Sequence, residues 1–343
     1  MLSPFDRIRY RAQQALQLQL LTVPVALWHR LTTRGLPQPP PEALELMRDR
    51  LEALYARDLD NAERGIYPAS LLFQFSIGEY LRKLPALLTE PPRATWRRFR
   101  GAHDDLPADA DLDALPRYYR RTFHWQTDGW LSERSASLYD LEVESLFGGT
   151  ASVMRRMALP PLVHALATRR TPRILDVGCG TGSFLRQLRT TLPRAELTGL
   201  DLSPHYLAHA HRNLGAATRV SLVAENAEEM PFRGRRFDAV SCVFLFHELP
   251  PKARRRVAQE MRRVLRPGGT LVLCDSAQPD DSPALRPVLE SFPQIYHEPY
   301  FKSYLRDDLA ALLKEADFEV LEETPAFLSK VVVARRADRT RAN

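Results

Sequence analysis

The sequence predicts an α/β fold, in which a doubly wound, mainly parallel sheet of seven strands follows a helical N-terminal cap. From residue 171 onward, continuous apolar runs alternate with stretches of helical periodicity, which is typical of a parallel sheet covered on both faces. A glycine-rich loop follows the first apolar run, where α/β proteins hold nucleotides. Before residue 150 the pattern is helical instead. We therefore predict a cap over 1–150, an α/β domain over 151–336 and a disordered tail over 337–343.

The cap contains three stretches with helical character. Ala15–Trp28 is apolar but is interrupted by two glutamines and a proline, and it is shorter than the roughly 18 apolar residues of a membrane span. We expect it to pack on the protein, with weak membrane-surface contact as the alternative. Glu42–Asp60 and Pro68–Leu88 carry helical periodicity. The stretches GLPQPPPE and HDDLPADADLDALP separate these pieces and are predicted to be linkers or loops.

The α/β domain contains seven strand-like runs. In chain order they are RILDV, AELTGLD, VSLVA, FDAVSCVFLF, GTLVLCD, FEVLEET and LSKVVVA. Helices are predicted between several of them, over Ser183–Thr191, Pro204–Leu214, Pro251–Val264 and Arg306–Ala316. The motif RPGG is expected to end the third of these helices and to turn into the next strand. A short link containing Pro325 joins the last two strands, which favours an antiparallel hairpin at one edge.

The composition argues against several classes of protein. Lys and Arg number 48 against 42 Asp and Glu, but the basic residues are scattered over different elements, so we do not expect a surface dedicated to nucleic acid. The three cysteines are far apart and form no CxxC pair. This pattern predicts reduced thiols, no zinc knuckle and a cytoplasmic location.

The loop in RILDVGCGTGSF differs from two common phosphate-binding motifs. Its glycines stand at every second position, unlike the GxGxxG spacing of dinucleotide-binding proteins, and no lysine of the P-loop type follows. Such a flat loop favours an uncharged or zwitterionic ligand tail over a pyrophosphate. Asp201 ends the second strand, where its two carboxylate oxygens can accept from two ribose hydroxyls.

Five motifs together carry a resemblance to a known superfamily: ILDVGCGTG, LTGLDLSP, AENAEEMPF, FDAVSCVFLFHELP and VLRPGGTLVL. In order and spacing they resemble the class I S-adenosylmethionine-dependent methyltransferases, over about residues 155–334. The FHELP segment is similar to the small-molecule branch that includes ubiquinone and menaquinone C-methyltransferases and sterol-type enzymes. The resemblance implies a Rossmann-like fold, S-adenosylmethionine as cofactor and transfer of a methyl group to a small-molecule acceptor.

The resemblance also implies which residues bind the cofactor. The glycine loop and the acid before it would flank the methionine moiety, Asp201 would take the ribose, and Leu202, Asn226 and Ala227 would contact the adenine. Most relatives have Asp where this chain has Asn226, and an Asn carbonyl still accepts from an amino group. The full predicted set is Asp176, Gly178, Cys179, Gly180, Gly182, Asp201, Leu202, Asn226, Ala227 and Phe244.

The acceptor is predicted from the residues that follow the fourth strand. Enzymes that methylate amide or exocyclic amino nitrogens carry NPPY or DPPY there, whereas this chain has FHELP. Enzymes that attack pyrimidine C5 use a Pro-Cys pair, and no cysteine of this chain follows a proline. Both differences favour a small molecule, and we expect a planar or lipid-like one. An RNA or protein methyltransferase and a non-catalytic S-adenosylmethionine-binding module remain alternatives.

Four residues are candidates for contacting the acceptor. His247 lies at the carboxyl end of the fourth strand, and His297 and Glu298 follow the fifth, so they can converge beside the methyl group. His124 belongs to an aromatic-rich stretch before the fold and is expected behind them. A histidine would act as a base only if the acceptor must lose a proton, and His247 could instead be structural. We expect no metal site, because His205 and His209 lack a third ligand; the oligomeric state stays open.

Overall fold

A computed structural model describes residues 2–32, 39–108, 110–113, 115–216 and 219–337. A seven-stranded sheet forms its centre. The strands are β1 (Arg173–Val177), β2 (Glu196–Asp201), β3 (Val220–Ala224), β4 (Phe237–Val243), β5 (Leu265–Ser276), β6 (Phe318–Ala326) and β7 (Ser329–Arg336). Their order across the sheet is β3-β2-β1-β4-β5-β7-β6. The first five are parallel, whereas β7 runs antiparallel to β5 and β6. The predicted fold class is confirmed.

Helices precede the sheet and lie between its strands. They are α1 (Pro4–Thr32), α2 (Pro41–Glu63), α3 (Ile77–Arg100), α4 (Glu133–Leu146), α5 (Ala151–Arg156), α6 (Leu159–Leu166), α7 (Ser183–Thr191), α8 (Pro204–Leu214), α9 (Pro251–Val264), α10 (Arg286–Ile295), α11 (Phe301–Tyr304) and α12 (Leu309–Glu315). The predicted bounds of α7, α8 and α9 are confirmed. In α8, Pro204 occupies the first turn and the Ser203 hydroxyl caps it by accepting from the amide of Tyr206, which explains where this helix begins.

Four local predictions need correction. The helix predicted over Pro68–Leu88 is a single 3-10 turn followed by α3, because the Ser76 hydroxyl caps a new helix. The helix predicted from Arg306 begins at Leu309, where Asp308 is the cap. The RPGG motif lies within β5. Pro325 lies inside β6 and pairs with Lys330, and it is tolerated there because β6 is an edge strand.

Successive side chains of the central strands pack on opposite faces of the sheet, as pleating requires. Ile174 and Ala239 join a core with α5, α6 and α7 on one face. Leu175 and Val240 join a core with α9 and α12 on the other. Because both faces are covered, the open edge for ligands is the carboxyl end of the parallel strands, where β1, β2 and β4 stop.

A buried ion pair fixes the N-terminal helices to the helices beside the sheet. Asp58 of α2 lies opposite Arg156 of α5, with Oδ1 2.8 Å from Nε of the arginine. The hydroxyls of Tyr10 and Tyr67 each donate to this carboxylate at 2.6 Å. All four side chains are buried. The contact therefore ties α1, α2 and α5 together through one carboxylate whose hydrogen bonds are all made within the protein.

The helix α1 packs on the protein through its described side chains. Leu21 is buried against Tyr80 of α3, and Gln14 and Gln17 are also buried. The side chains of residues 23–28, the second half of the predicted Ala15–Trp28 helix, lie outside the described residues, as do residues 338–343 of the predicted tail. In the part of the chain that the structure describes, no helix has both the length and the apolar character needed to cross a membrane. The predicted boundary at residue 150 stays a prediction.

Candidate functional site

The glycine loop that follows β1 adopts a backbone conformation open chiefly to glycine. Gly178, Gly180 and Gly182 all have positive φ values, of 69°, 52° and 78°. A Cβ atom at Gly182 would lie 3.0 Å from the Cβ of Ala210 in α8. A side chain at this position would therefore cause both backbone strain and a steric clash with α8. Only glycine allows the loop to lie this close to the helix.

Asp201 is held at the end of β2 by the backbone around it. Its Oδ2 accepts from the amide of Gly180 at 2.8 Å, and its Oδ1 accepts from the amide of Ser203 at 2.9 Å. Burial raises the pKa of this carboxyl, while these amides and that of Leu202 oppose the change. Each oxygen keeps further acceptor capacity, so both can receive hydroxyl donors from a ligand in a fixed orientation.

A pocket, which we call the glycine-loop pocket, opens between this loop and the segment before α4. Seven of the ten predicted cofactor-binding residues line it: Gly178, Gly180, Asp201, Leu202, Asn226, Ala227 and Phe244. Several aromatic side chains that were not assigned to the cofactor line it as well: Tyr118, Tyr119, Trp130, Tyr139 and Tyr206. Four of these come from the stretch 118–140, which is rich in aromatic residues; that richness was the sequence signal for them.

The other three predicted cofactor residues, Asp176, Cys179 and Gly182, are not among the residues lining this pocket. The Asp176 carboxylate is buried and accepts from the Ser241 hydroxyl at 2.7 Å. Burial raises the pKa of Asp176 to about 7 despite this hydrogen bond. Cys179 is buried under the loop, and burial raises the pKa of its thiol well above the ordinary value. Asp176 lies in β1, and Cys179 and Gly182 belong to the loop itself. Direct contact of these three residues with a ligand stays a prediction.

A second pocket, which we call the apolar pocket, adjoins the first. Its walls are mostly apolar and include Val143, Leu146, Phe147, Val288, Leu289, Phe292, Tyr296, Phe301 and Leu328. Its polar side chains are His124, His247, Glu248 and Ser276. Tyr139, Phe244 and Glu248 line both pockets. Ligands in the two pockets would therefore meet across these three side chains.

His247 forms a dyad with Asp275. Its Nδ1 lies 2.6 Å from Oδ1 of Asp275, the penultimate residue of β5, while the other carboxylate oxygen accepts from the amides of Leu245 and Phe246. Burial disfavours the charged imidazole, but the Asp275 and Glu248 carboxylates outweigh it and raise the pKa of His247 well above its ordinary value. These carboxylates therefore favour the imidazolium form of His247, with Nδ1 held by Asp275.

His124 lies between two buried glutamates. Its Nε2 is 3.0 Å from Oε1 of Glu248, and its Nδ1 is 2.8 Å from Oε1 of Glu298. Burial acts to lower the pKa of His124, but the two carboxylates raise it to about 10. Burial would raise the pKa of Glu248, but His124 and His247 hold it well below its ordinary value. Burial and the charge of Glu248 raise the pKa of Glu298 to about 7.

These contacts join five side chains, three predicted and two not predicted, into one polar network. The order is Glu298, His124, Glu248, His247 and Asp275, since Nε2 of His247 also lies 3.5 Å from Oε1 of Glu248. The structure thus brings together three of the four predicted acceptor-contacting residues. Glu248 and Asp275 are the two members that were outside the predicted set, although Glu248 stands next to His247 in the FHELP motif.

His297 faces elsewhere. Its ring lies against that of His103, with the centroids 5.2 Å apart, and it is not among the residues lining either pocket. Burial lowers the pKa of His297 to about 4, and the neighbouring His103 ring acts in the same direction. Its backbone carbonyl accepts from the amide of His124 at 3.0 Å. The geometry gives His297 a part in positioning His124, and a direct catalytic role stays a prediction.

Two residues of the site have backbone conformations that side chains rarely adopt. Phe244 has a φ of 56° and His124 a φ of 54°. Phenylalanine pays a steric cost there, and such strain is common where a side chain must be placed in a functional pocket. Phe244 lies at the junction of the two pockets, and His124 lies between the two glutamates, so both strained positions belong to the site.

Arg155 is a buried cation beside the glycine-loop pocket. Its nearest carboxylate oxygens, on Glu144 and Asp140, lie 3.8 and 3.9 Å away, which is beyond hydrogen-bond length. Its guanidinium stands 5.6 Å from the ring centroid of Phe244. Its charge also acts to lower the pKa of the Asp176 carboxyl against the effect of burial. Arg155 lines a separate cavity beside α1 and α3 and is not among the residues lining the glycine-loop pocket, although Phe244 is.

The chain matches the family model described as a methyltransferase domain over residues 174–269. It is 33% identical over 150 residues to a demethylmenaquinone methyltransferase of Thermotoga maritima, covering 44% of this chain and 62% of that protein. It is 33% identical over 162 residues to an O-methyltransferase of Aspergillus nomiae, covering 46% of this chain and 69% of that protein. The chain thus spans less than two thirds of the Thermotoga protein and slightly more than two thirds of the Aspergillus protein.

A solved structure of an O-methyltransferase family protein from Burkholderia thailandensis is 18% identical, with a TM-score of 0.46. It covers 61% of this chain and 64% of its own. The match to the family model falls in the half of the chain that carries the sheet.

Proposed function

The chain belongs to the class I S-adenosylmethionine-dependent methyltransferases, and from this premise we propose that it transfers a methyl group to a small, largely apolar acceptor that carries an oxygen function. The observation that carries the proposal is that the glycine-loop pocket and the apolar pocket share Tyr139, Phe244 and Glu248. A methyl donor in one pocket and an acceptor in the other would meet there.

The residues of the glycine-loop pocket fit S-adenosylmethionine. Both oxygens of Asp201 are oriented by backbone amides and keep capacity for ribose hydroxyls. Leu202 and Ala227 offer apolar contact to a purine, and the ring of Tyr206 stands over the loop, 3.9 Å from where a Cβ of Gly180 would lie. When bound, the cofactor supplies an electrophilic methyl group on a sulfonium centre.

The apolar pocket supports an acceptor with a planar or aliphatic body and one polar end. Its walls from α4, α10 and the segment around Phe301 are apolar, whereas its polar side chains are few, and one of them, Glu248, also lines the glycine-loop pocket. Such a pocket binds by apolar burial and is oriented by few hydrogen bonds. The demethylmenaquinone methyltransferase relative acts, by its name, on a quinone-type molecule, and we propose an acceptor of that class for this chain.

The protein's own contribution is alignment and electrostatics. Methyl transfer from an electrophilic sulfonium centre needs an aligned nucleophile and a water-poor pocket. The Glu248 carboxylate can accept a hydrogen bond from an acceptor hydroxyl and so orient it. The imidazolium of His247 can donate from Nε2 to the oxygen on which negative charge develops. Asp275 keeps that ring in one orientation, because it holds Nδ1.

The proposal is tested by incubating the protein and tritiated S-adenosylmethionine with a cell extract that is then separated into lipid, soluble-metabolite, RNA and protein fractions. We expect label in the lipid or metabolite fraction. Label chiefly in RNA or protein would overturn the proposed acceptor in favour of a macromolecular one. Failure of the protein to bind S-adenosylhomocysteine would overturn the proposed cofactor as well.

A further inference from the structure

We propose that His124, Glu248 and Glu298 form a binding site for one divalent transition-metal ion at the wall of the apolar pocket. Each residue offers one ligand atom, and these three atoms lie within 4.8 Å of one another. One metal ion can bridge atoms at such spacing after small side-chain movements, since metal–ligand distances of about 2 Å place ligand atoms about 3 Å apart. The sequence analysis predicted no metal site. The three ligands proposed here come from segments far apart in the chain, so no sequence spacing indicated them.

The three ligands are held by separate elements. His124 belongs to a tight turn before α4, Glu248 to the 3-10 turn after β4, and Glu298 to the segment between α10 and α11. The backbone of His124 is fixed at a positive φ, and its amide donates to the carbonyl of His297. The convergence of three segments on one point, with one of them strained, indicates a site that the fold maintains.

Unsatisfied oxygens supply an independent observation. Oε2 of Glu248 and Oε2 of Glu298 have no hydrogen-bond partner among the described residues, although the two residues are only 5% and 3% exposed. Buried carboxylate oxygens are costly unless they are hydrogen-bonded, paired or bound to a metal. The contrast is Asp275, whose oxygens accept from three backbone amides in addition to His247.

An ion would compete with a proton in this cluster. His124 lies between the two glutamates, with one ring nitrogen 3.0 Å from Glu248 and the other 2.8 Å from Glu298. A divalent ion would take the place of a proton that His124 holds, so that His124 served as a neutral nitrogen ligand and both glutamates as carboxylates.

The donor set selects the class of ion. One imidazole nitrogen and two carboxylate oxygens suit Mn²⁺, Fe²⁺ or Zn²⁺, whereas Mg²⁺ prefers oxygen ligands alone. Because each nitrogen of His124 now faces a glutamate, one nitrogen would turn to the ion while the other kept its carboxylate, a common arrangement in metal sites. His124 and Glu248 line the apolar pocket, so the ion could bind an acceptor oxygen there. That use of the ion rests on the proposed function; the binding site does not.

The test is titration of the full chain with Mn²⁺ alone, after removal of metals with a chelator, followed by calorimetry and by the paramagnetic signal of free Mn²⁺. We expect one saturable site per chain, with Zn²⁺ competing and Mg²⁺ binding more weakly. Glu298→Gln and His124→Asn should each raise the dissociation constant for Mn²⁺ at least about 10-fold. Asn is chosen at 124 because it tolerates a positive φ.

Two controls keep the result interpretable. Glu260→Gln changes another partly buried glutamate, which pairs with Arg263 away from the cluster, and should leave Mn²⁺ affinity within about twofold. Retained binding of S-adenosylhomocysteine verifies that each variant is folded, and if His124→Asn fails this check then Glu298→Gln decides. Absence of saturable Mn²⁺ and Zn²⁺ binding in the folded protein overturns the site. So does an affinity for Mn²⁺ in both Glu298→Gln and His124→Asn that equals that of the natural chain. A chain that binds Mn²⁺ but transfers no methyl group refutes the proposed function and leaves the site standing.

Discussion

Oδ1 of Asp275 lies 2.6 Å from Nδ1 of His247, so a residue near the end of β5 orients an imidazole from the 3-10 turn after β4 toward the apolar pocket. Replacing His247 by Ala should therefore lower the rate of methyl transfer by about 100- to 1,000-fold if the acceptor must lose a proton, because the Nε2 hydrogen bond then stabilises the anionic oxygen. Binding of S-adenosylhomocysteine should change by less than about threefold, because His247 does not line the glycine-loop pocket. Single-turnover kinetics and calorimetry on the same preparation measure the two quantities.

His164→Ala is the matched control, since it removes an exposed imidazole from α6. A smaller rate loss accompanied by much weaker acceptor binding would show that His247 orients a nucleophile that needs no base. Unchanged activity and acceptor affinity would show that the Asp275–His247 dyad is structural. His297→Ala, made in parallel, decides the untested role of His297, because a loss comparable to that of His247→Ala would bring it into catalysis.

An aspartate in place of Asn226 is predicted to bind the cofactor more tightly. Oδ1 of Asn226 already accepts from the amide of Glu228 at 2.9 Å. The remaining polar group of this pocket residue is Nδ2, which can only donate. The exocyclic amino group of adenine is also a donor, so a carboxylate should suit it better. We expect Asn226→Asp to lower the dissociation constant of S-adenosylhomocysteine about 3- to 10-fold, measured by calorimetry.

Gln19→Glu adds the same charge on the exposed side of α1 and should leave the affinity unchanged, which separates a local hydrogen bond from a change in net charge. Equal or weaker binding by Asn226→Asp would mean that the adenine edge is read by backbone groups instead.

The sheet could be predicted from the sequence because each strand is a continuous apolar run and each following helix has a local start signal, as Ser203 and Pro204 show for α8. The convergence of His124, Glu248 and Glu298 could not, because it depends on how three loops fold over the sheet. Periodicity also cannot decide which of two adjacent loop residues faces inward, and this is why His297 and Glu298 were predicted together although only Glu298 joins the network. The aromatic residues of the stretch 118–140 are visible in the sequence, but their contact with the glycine-loop pocket depends on the tertiary structure.

Asp176 should make stability depend on pH. Burial raises its pKa to about 7 in the folded chain, above the ordinary value of 3.8. The folded state therefore binds this proton more tightly than the unfolded state does, so the stabilisation is present below about pH 4 and is lost as pH rises through 7. Asp176→Asn removes this dependence. We expect the variant's free energy of unfolding, relative to that of the natural chain, to increase by up to about 4 kcal/mol between pH 4 and pH 8.

Urea unfolding at a series of pH values measures this difference, and all other titrating groups cancel in it. Parallel curves for the two chains would show that Asp176 is ionised throughout, with water or a cation reaching it.

The Asp58–Arg156 pair should dominate the attachment of the N-terminal helices. Both side chains are buried, and the same carboxylate receives the hydroxyls of Tyr10 and Tyr67. Asp58→Asn leaves Arg156 as a buried charge without a counterion, which typically costs about 3–5 kcal/mol. Asp60→Asn, two residues along α2, breaks an ion pair with Arg64 in which both side chains are 58% exposed, and should cost less than about 1 kcal/mol. Comparable losses for the two variants in urea unfolding would contradict this assignment.

Weak membrane contact was the alternative considered for the N-terminal helix, and we predict it instead at the end of α3. Trp96 and Phe99 are 60% and 76% exposed, among several arginines of the same helix end. Arg98 lies near enough to the apolar pocket that its charge opposes the burial-driven rise in the pKa of Tyr296, a pocket residue. Aromatic rings beside arginines are typical of surfaces that dock on anionic lipid. A lipid-like acceptor would then reach the pocket from the bilayer.

We therefore expect the protein to co-sediment with phosphatidylglycerol vesicles and less with neutral ones. The double variant Trp96→Ala and Phe99→Ala should reduce binding at least about fivefold, since each ring contributes apolar area to the interface. Leu44→Ala and Leu321→Ala together remove two exposed apolar side chains elsewhere, and should leave binding unchanged. Deleting residues 1–30 tests the original prediction directly. Loss of binding on that deletion alone, with full binding by the double variant, would place the contact on α1 rather than on α3.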